Sequence, residues 1–487
     1  MKIKYKINYA FLILFVLQCL PTLMHGQMTT FQKIYPSSIN QGGQDVLPTA
    51  DGGYIIAGKT ENNIINDLDI LINKTNNLGE IVWTKTYGGS RPDYANCILQ
   101  TIDGYLILGY SQSFGGGDQD NYLLKINTVG DTLWTKVYGG YGNEDGKEIV
   151  ATADGNYVIV GGSNSVNFSN NDMQLIKIDP LGHVIWTKYY GGGTTYESAR
   201  SVKLCLDGGF IIAGKTLSIV NALASVYLVK INSSGDTLWT KTYSGPNSYE
   251  GKSIVVNSDG SYTLCVDDSS STHDSDVRVM NINSSGAIVW NKSYGGTDKD
   301  ICKMIQLNND GSYIVTGISR SFGWGDPEMW LLKINTSGDT IWTANYGGPG
   351  HEHCYATRQT PDGGFISIGL TRSFSVNART FLVKMDDLGH SLPLALSINA
   401  LTSNNINLNI YPNPSNGVIH IDLSDAVNSS STFRISNSLG QILFSEIIDP
   451  SSGIKSKIIN IEDEKPGIYF VTVQSSNRVT TKKLVLN

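Results

Sequence analysis

The chain has 487 residues, too many for one ordinary domain of about 100–200 residues. Charged residues make up only 16% of it and Gly numbers 52, which argues against helical bundles and coiled coils and favours short strands joined by tight turns. A hydrophobic content of 40% excludes wholesale disorder, and a net charge of −7 argues against a general affinity for nucleic acid.

The N-terminus predicts a secretory signal peptide over residues 1–26. Three lysines come first, the apolar core at Ala10–Leu20 is too short to span a bilayer, and Gly26 offers a small residue for cleavage. A short membrane anchor is the alternative. No later stretch approaches 18 apolar residues, so the sequence predicts a soluble mature chain without a transmembrane segment.

The middle of the chain repeats with a period of 51 to 53 residues. The most regular mark is a tryptophan in a short strand that ends in tyrosine: Trp83, Trp134, Trp186, Trp239, Trp290 and Trp342. An Asp-Gly pair, which is a strong hairpin signal because Gly accepts positive φ, recurs in seven units. Its acids are Asp51, Asp103, Asp154, Asp207, Asp259, Asp310 and Asp362. A repeat of this length with several strands is typical of propeller blades.

One unit shows how the strands are arranged. Its four strands are predicted at Ala95–Thr101, Tyr105–Tyr110, Tyr122–Asn127 and Thr132–Tyr138, with turns or loops between them. Four antiparallel strands make one blade, and apolar residues on both strand faces fit a sheet packed between two neighbours. A β-helical solenoid, the competing architecture, would need parallel rungs and lacks this hairpin chemistry.

The two ends of the repeat have complementary defects. The seventh unit has Pro393 where Trp is due, and Pro cannot donate to a strand ladder. Phe31–Tyr35 lies one period before Trp83 and resembles an orphan fourth strand with Phe in place of Trp. We predict that Phe31–Tyr35 completes the seventh blade and closes the ring, which removes exposed sheet edges.

An acid follows the fourth-strand Trp by ten or eleven residues in six units: Asp93, Glu144, Glu197, Glu250, Asp300 and Glu352. Because these positions precede the strand nearest the axis, they are predicted to form an acidic ring at the channel mouth. The functional interpretation is a site for a cation such as Ca²⁺ or for a polar ligand. The structural interpretation is that each side chain hydrogen-bonds backbone in its own or the next blade.

The loops between second and third strands are the longest and most varied of the repeat. They are expected on the same face as the loops between blades, and loops on a rigid scaffold usually carry binding. The candidate ligand-binding residues are Trp324, Phe322, Phe114 and Phe168. For the repeated Ser-Phe positions, including Phe374, the alternative is a structural plug over the blade edge. Trp324, which stands between two glycines, is the better candidate for stacking on a ligand.

Residues with obvious chemistry are few. His351-Glu352-His353 is the one His cluster, and no third metal ligand can be named from the sequence, so no metal site and no cofactor are predicted. No Walker loop, GxSxG or HExxH motif occurs, whereas paired catalytic carboxylates remain open because they need not be close in sequence. The five cysteines outside the signal peptide are odd in number and are expected as small buried hydrophobes.

Residues 406–487 follow a linker at 393–405 and lack the repeat. Their marks are, in order, Pro412-Asn413-Pro414-Ser415-Asn416-Gly417, then Gly440, then Pro466-Gly467-Ile468-Tyr469, and finally Lys482-Lys483. Pro fixes φ and Gly supplies freedom, so these are turn signals between short apolar strands. The pattern predicts a small β-sandwich.

The same marks resemble the type A C-terminal sorting domain of the type IX secretion system. The resemblance covers residues 406–487 and assigns a sorting motif to Pro412, Asn413, Pro414, Gly417, Gly440, Gly467, Tyr469, Lys482 and Lys483. It implies recognition by the secretion machinery and, in the family, removal of the domain with attachment to surface lipopolysaccharide. The repeat region is similar, more loosely, to propeller arrays that often precede such domains.

The predicted fold class is therefore all-β: a seven-bladed β-propeller over residues 27–392, then a small sandwich. The predicted function is a secreted or cell-surface binding or adhesion protein for an unknown glycan or protein. One alternative is a secreted, carboxylate-based hydrolase active on glycans. Another is a structural surface protein with no discrete ligand.

Overall fold

A computed structural model describes residues 28–487, with gaps at 63–66, 166–169, 193–194, 219–222, 270–274, 324–325, 393–407, 424–430, 438–441, 449–455 and 476–477. The predicted signal peptide and linker lie outside the described residues. In the described part of the chain every regular element is a β-strand, and no helix occurs. The chain divides into two compact units, residues 1–395 and 396–487.

Strands are numbered in chain order, beginning with β1 (Phe31–Ile34). The first sheet contains β2 (Gln41–Pro48), β3 (Tyr54–Asn62), β4 (Asp67–Thr75) and β5 (Ile81–Tyr87). The second contains β6 (Asp93–Thr101), β7 (Gly104–Ser111), β8 (Asp120–Asn127) and β9 (Thr132–Tyr138). The third contains β10 (Glu144–Ala151), β11 (Tyr157–Ser163), β12 (Asp172–Ile178) and β13 (Val184–Tyr190).

The fourth sheet contains β14 (Thr195–Leu204), β15 (Phe210–Ser218), β16 (Ala224–Ile231) and β17 (Thr237–Tyr243). The fifth contains β18 (Ser248–Val256), β19 (Tyr262–Ser269), β20 (Asp276–Ile282) and β21 (Ile288–Tyr294). The sixth contains β22 (Asp300–Leu307), β23 (Tyr313–Ser319), β24 (Glu328–Ile334) and β25 (Thr340–Tyr346). The seventh contains β26 (Glu352–Gln359), β27 (Phe365–Thr371), β28 (Arg379–Met385) and the N-terminal β1.

The sheets of the first unit follow one another around a ring. Each is antiparallel, and the first strand of each contacts the first strand of the next. Strand β26 of the seventh sheet in turn contacts β2 of the first. Repeated four-stranded sheets around a central channel are the architecture of a β-propeller, which the repeat length predicted.

The N-terminal strand supplies the outer strand of the seventh sheet. Strand β1 pairs antiparallel with β28, with Phe31 opposite Lys384 and Ile34 opposite Phe381. Phe31 is 8% exposed and packs on Gly79 of the first sheet. Four other fourth strands place Trp against the matching Gly of the next sheet, as Trp342 does against Gly389. The pairing predicted for Phe31–Tyr35 is therefore the pairing observed.

A tyrosine at the end of each fourth strand makes the same hydrogen bond in every sheet, which explains why this residue recurs. Its hydroxyl donates to the carbonyl of the turn glycine in the next sheet, at 2.5 to 2.9 Å. These pairs are Tyr35–Gly79, Tyr87–Gly130, Tyr138–Gly182, Tyr190–Gly235, Tyr243–Gly286, Tyr294–Gly338 and Tyr346–Gly389. Each interface between neighbouring sheets thus has the same hydrogen bond, and Tyr35 provides it where the chain ends meet.

A repeated ion pair anchors the Asp-Gly turns. A buried lysine of the third strand reaches the turn aspartate in six sheets, with N–O distances of 2.5 to 3.0 Å. In the fifth sheet Asn281 replaces the lysine, and Asp259 instead accepts from Ser261. The turn acids are therefore structural.

The core lies between neighbouring sheets. Each hydrophobic cluster of the first unit draws buried Val, Ile, Leu and Tyr side chains from two or more adjacent sheets. Burial of both faces explains the nearly continuous apolar runs of the second and third strands. The five described cysteines are all free and buried in this core, as the sequence led us to expect.

The second unit is built from two antiparallel sheets. Its strands are β29 (Leu408–Tyr411), β30 (Val418–Leu423), β31 (Ser431–Asn437), β32 (Ile442–Ile448), β33 (Ser456–Asn460), β34 (Gly467–Ser475) and β35 (Arg478–Leu486). One sheet has the order β29-β30-β33 and the other β32-β31-β34-β35. Buried residues of both sheets, among them Ile421, Phe433 and Val471, form a single hydrophobic cluster.

Candidate functional site

The loops before the first strands and the loops between second and third strands lie on one face of the ring. Gln119, at the end of one second-to-third loop, forms a parallel bridge with Asn143, which precedes β10. Asn164, at the start of the next such loop, donates its backbone N–H to the carbonyl of Asn143 at 3.2 Å. We call this side the loop face. Both kinds of loop lie on this face, as the sequence predicted.

The aromatic loop residues that the structure describes pack against their own sheets. Phe114 stacks on Tyr122 with ring centroids 5.5 Å apart, and Phe322 lies 5.9 Å from Trp330. Both phenyl rings are still more than a third exposed. These contacts support the plug interpretation. The other two predicted ligand-binding residues, Phe168 and Trp324, lie outside the described residues.

Five of the six predicted channel acids are buried and hydrogen-bonded. Asp93, Glu144, Asp300 and Glu352 are 0% exposed and Glu197 is 2% exposed. Each accepts the N–H of a glycine four or five residues earlier, at 2.8 to 3.3 Å. Each also accepts a Ser or Thr hydroxyl from its own sheet. These contacts support the structural interpretation for these five acids.

Glu250 does not belong to this set. Each first strand carries a β-bulge, and in the fifth sheet the bulge register aligns Tyr249 with the other five acids. Glu250 is one residue later, and it pairs with Arg200 at 2.5 Å and Lys252 at 2.6 Å. Burial opposes ionisation, but these cations hold the pKa of Glu250 at about 2.

The buried acids have acidic neighbours that the sequence pattern did not predict. At four interfaces an acid that begins or lies near the start of a third strand approaches the acid of the next sheet: Asp69 with Asp93, Asp120 with Glu144, Asp172 with Glu197, and Asp276 with Asp300. A Cβ placed on Gly139 would lie 1.8 Å from Asp120 Oδ1 and 2.4 Å from Glu144 Oε2. The recurrent Gly after the fourth-strand Tyr therefore leaves room for two carboxyl groups.

Replacement of Asp120 by Asn is expected to stabilise the chain at alkaline pH. Burial, and then the charge of Glu144, raise the pKa of Asp120. The folded state thus holds a proton more tightly than the unfolded chain, so this contribution to stability is present at low pH and lost as pH rises through the folded-state pKa. Asp120→Asn should raise the free energy of unfolding at pH 8 by about 1 kcal/mol, the usual size for one substitution.

The control for this variant is Asp118→Asn, which removes an exposed acid from the same loop. Chemical denaturation between pH 5 and 8 should show a shallower pH dependence in Asp120→Asn and an unchanged one in Asp118→Asn. If Asp120→Asn follows the wild-type pH profile, the pKa of Asp120 is not raised in the folded chain, and the prediction is wrong.

A polar cavity of about 240 Å³ opens on the loop face between the second, third and fourth sheets. It is lined by Gln119, Asn143, Glu144, Asp145, Asn164, Asn170, Asn171 and Tyr196. We call it the amide cavity because five of its eight lining residues are Asn or Gln. Tyr196, in the wall of the cavity, is 40% exposed, and Tyr141 on the neighbouring loop is 86% exposed.

Hydrogen bonds between side-chain amides and the backbone hold the amide cavity in shape. Asn171 Nδ2 donates to the carbonyl of Glu197 at 2.7 Å, and Asn164 Oδ1 accepts the N–H of Asn143 at 2.6 Å. The side-chain amide of Asn143 and Nδ2 of Asn164 make no hydrogen bond to other described residues. They leave donors and an acceptor for a ligand, next to an aromatic ring.

The His cluster predicted from the sequence does not assemble a metal site within the described residues. His351 is exposed and lies 3.5 Å from Asp326, whereas His353 is half-buried beside Tyr355. Burial, and then the charge of Lys303, lower the pKa of His353 to about 4. Across the described ranges no group of three or more His, Cys, Asp or Glu side chains could hold a metal ion.

The sorting-motif residues tie the turn before β30 to the C-terminal strand. Asn413 Nδ2 donates to the carbonyl of Lys483 at 2.7 Å, and Asn413 Oδ1 accepts the N–H of Val485 at 2.9 Å. Ser415, which is 1% exposed, bridges to Leu486. Gly417, at φ +119°, packs its Cα against Glu462, so a larger residue would not fit there.

The remaining sorting-motif residues divide into core and surface. Tyr469 is 5% exposed in the cluster of the second unit, and its hydroxyl donates to the carbonyl of Lys465 at 2.6 Å. Gly467 begins β34, whereas Lys482 and Lys483 are exposed on β35. Gly440 lies outside the described residues. The two lysines are thus charged groups at the surface of this strand.

Residues 409–487 match the family model of the secretion system C-terminal sorting domain. This confirms the resemblance to sorting domains of the type IX secretion system. The chain is therefore a β-propeller protein with a C-terminal sorting domain, secreted or exported to the cell surface. In the described part of the chain, no helix is long and apolar enough to cross a membrane.

Solved structures similar to the chain include a WD40 domain and a β-propeller domain. The Pan2 WD40 domain of Neurospora crassa has 10% identity over 74% of this chain and 96% of its own, with a TM-score of 0.47. The β-propeller domain of the Trilobed protease from Pyrococcus furiosus has 9% identity over 72% and 97%, with a TM-score of 0.41. The polysaccharide lyase Uly1 has 11% identity over 72% and 91%, with a TM-score of 0.45. At these values the likeness concerns the fold alone. Comparison with curated proteins gives no match.

Proposed function

We propose that the chain is an exported, closed seven-bladed β-propeller that binds a polar ligand, a glycan, in the amide cavity. The observation that carries the proposal is the cavity itself: five Asn or Gln residues beside a partly exposed Tyr ring. Sugar hydroxyls both donate and accept hydrogen bonds, as side-chain amides do, and an aromatic ring offers a flat apolar surface for a sugar face.

The dimensions of the amide cavity favour a small recognition site. Its 240 Å³ is below the roughly 300–1,000 Å³ of pockets that enclose drug-sized ligands. One sugar residue of a longer chain would fit inside while the rest lay across the loop face. The exposed Tyr141 and the half-exposed Phe114 offer additional apolar surface on that face.

Binding is better supported than hydrolysis. Glu144 and Asp145 both line the amide cavity, but Glu144 already accepts hydrogen bonds from Gly140, Ser163 and Ser165. Asp145 accepts from Gly162 at 2.7 Å and pairs with Lys147 at 2.9 Å. A glycosidase needs one carboxyl group as proton donor and a second as nucleophile or base, and these two are occupied by structural contacts.

The sorting unit supports display of this binding surface outside the cell. We propose that the secretion machinery recognises the exposed face of β35 with Lys482 and Lys483, and that the second unit is then removed with attachment to surface lipopolysaccharide. The two sheets and shared core of this unit support a β-sandwich. An adhesin retained at the surface is the role that fits both units.

A glycan array probed with the chain lacking residues 1–26 tests the proposed function. The variant Tyr196→Ala should weaken binding to the retained glycans at least tenfold, because it removes the aromatic wall of the amide cavity. Tyr189→Ala is the matched control, since that ring is 39% exposed on the outer strand β13. Equal binding by both variants, or no retained glycan in a correctly folded sample, would contradict the proposal.

A further inference from the structure

The first strands of all seven sheets place one bulged residue each at the axis. The register shift of every first strand skips one residue: Gln44, Asn96, Lys147, Arg200, Lys252, Lys303 and Tyr355. These residues and the ones that follow them line a cavity of about 110 Å³. We call it the axial cavity. It is separate from the amide cavity, which lies between the loops.

The charges around the axial cavity are unevenly distributed. The bulged residues of the third to sixth sheets are all cations, whereas those of the seventh, first and second are Tyr, Gln and Asn. Four consecutive sheets thus present Lys147, Arg200, Lys252 and Lys303 to one side of the cavity. Asp45 and Glu148 also line the cavity, but they pair with Arg358 and Lys203, so the lining carries an excess of cations.

Most of these cations have a carboxylate partner, but Lys303 has none. Lys147 pairs with Asp145, and Arg200 and Lys252 share Glu250. Lys303 makes no hydrogen bond or ion pair with any other described residue, although its side chain is partly buried. Burial, and then the charge of Lys252, lower the pKa of Lys303.

Asp267 is the acid whose charge acts most strongly on Lys303, but the two side chains form no ion pair. Asp267 lies 3.6 Å from Lys252, and its Oδ1 is buried without a hydrogen-bond partner among the described residues. Burial raises the pKa of Asp267, against the opposing effect of the charges of Lys252 and Lys303. Lys252 thus pairs with Glu250 and lies near Asp267, whereas the ammonium group of Lys303 has no ion-pair partner among the described residues. A buried charge without a partner is costly unless a counter-ion is supplied.

We propose that the axial cavity binds an oxyanion, a carboxylate, sulfate or phosphate group, between Lys252 and Lys303. The volume of about 110 Å³ admits such a group with water but not a sugar ring and its neighbours. Charge-assisted hydrogen bonds from the two ammonium groups would supply the affinity. The oxyanion comes either from a free inorganic ion or from the acidic group of a saccharide. This proposal does not depend on the proposed function of the amide cavity.

The test compares thermal melts and calorimetric titrations of the chain lacking residues 1–26, at pH 7 and constant ionic strength. Sodium sulfate and sodium glucuronate are the two probes, with sodium chloride as reference. Lys303→Met is the test variant. Lys292→Met is the matched control, because Lys292 is a cation of the outer strand β21 paired with Asp339.

The wild type and Lys292→Met should show one binding site for sulfate and a rise in melting temperature beyond the chloride reference. Lys303→Met should bind at least tenfold more weakly and should melt higher than the wild type in chloride, because an uncompensated buried charge is gone. Binding of sulfate alone identifies an inorganic ion as the source, and tighter binding of glucuronate identifies an acidic saccharide.

Two results would overturn the proposal. One is an equal rise in melting temperature with sulfate for the wild type and Lys303→Met, since sulfate stabilises proteins in general by exclusion from their surface. The other is the absence of calorimetric binding of either probe to the wild type. The second result needs no variant and therefore stands even if Lys303→Met does not fold.

Discussion

Deletion of residues 27–40 is expected to lower the melting temperature of the propeller unit by roughly 10 °C or more. The deletion removes β1, leaves the edge of β28 unpaired, and takes away the buried side chains of Phe31 and Tyr35. Loss of two large buried side chains alone costs about 6 kcal/mol or more, and exposed strand edges promote association. Differential scanning calorimetry of the deleted and intact chains is the measurement.

A matched pair of point variants separates ring closure from general damage. Tyr35→Phe and Tyr243→Phe each remove one hydroxyl that donates to a turn glycine of the next sheet, at 2.9 and 2.6 Å. In a closed ring the two variants should lose a similar amount, about 1 kcal/mol each. A silent Tyr35→Phe beside a destabilised Tyr243→Phe, or an unchanged melt after the deletion, would mean that the ring is open at this point.

Deletion of residues 406–487 is expected to abolish export in a host that carries a type IX secretion system. The sorting domain at residues 409–487 is the segment that addresses the chain to this machinery. Immunoblots of periplasm, cell surface and medium should place the deleted chain in the periplasm. Its appearance in the medium in normal amounts would contradict the assignment.

A finer version of this experiment changes one side chain. Asn413→Ala removes two side-chain hydrogen bonds from the turn before β30 to β35, and should reduce the exported fraction by destabilising the C-terminal strand. Asn416→Ala is the control, because Asn416 is exposed three residues later in the same turn. Equal export of both variants would show that this tie is dispensable for recognition.

The sequence predicted those parts of the fold that recur at a fixed spacing. The Trp period located the fourth strands, and the defect at Pro393 together with Phe31–Tyr35 predicted the pairing of β1 with β28. The physical reason is that every unit packs in the same environment, so each position repeats its residue type. The sorting domain was predictable for a different reason, because its marks occur in a specific order.

The sites were harder to predict because they depend on geometry that no spacing reveals. Glu250 lies eleven residues after its Trp, as Glu197 does, yet only the bulge register distinguishes their positions. The partner of Glu144 is Asp120, on a different strand of the neighbouring sheet, and neither looks unusual by itself. If the position of the bulge in each first strand were known, Lys303 could be recognised as a residue at the axis.

The amide cavity could not be read from the sequence either. Its Asn and Gln residues come from three loops, and side chains of this kind are ordinary in turns. The sequence pattern favoured aromatic loop residues instead, and the two described candidates, Phe114 and Phe322, pack on their own sheets. Only the folded loops bring Gln119, Asn164 and Tyr196 to one opening.

Hydrogen–deuterium exchange with and without the glycan selected on the array tests the central claim most directly. If the amide cavity is the binding site, backbone amides at 140–145, 164–165 and 195–198 should exchange several-fold more slowly in the complex. The equivalent loop of the sixth sheet, residues 296–299, should be unchanged and serves as the internal control. Unchanged exchange around the amide cavity, with protection at another loop or at the outer strands, would contradict the account.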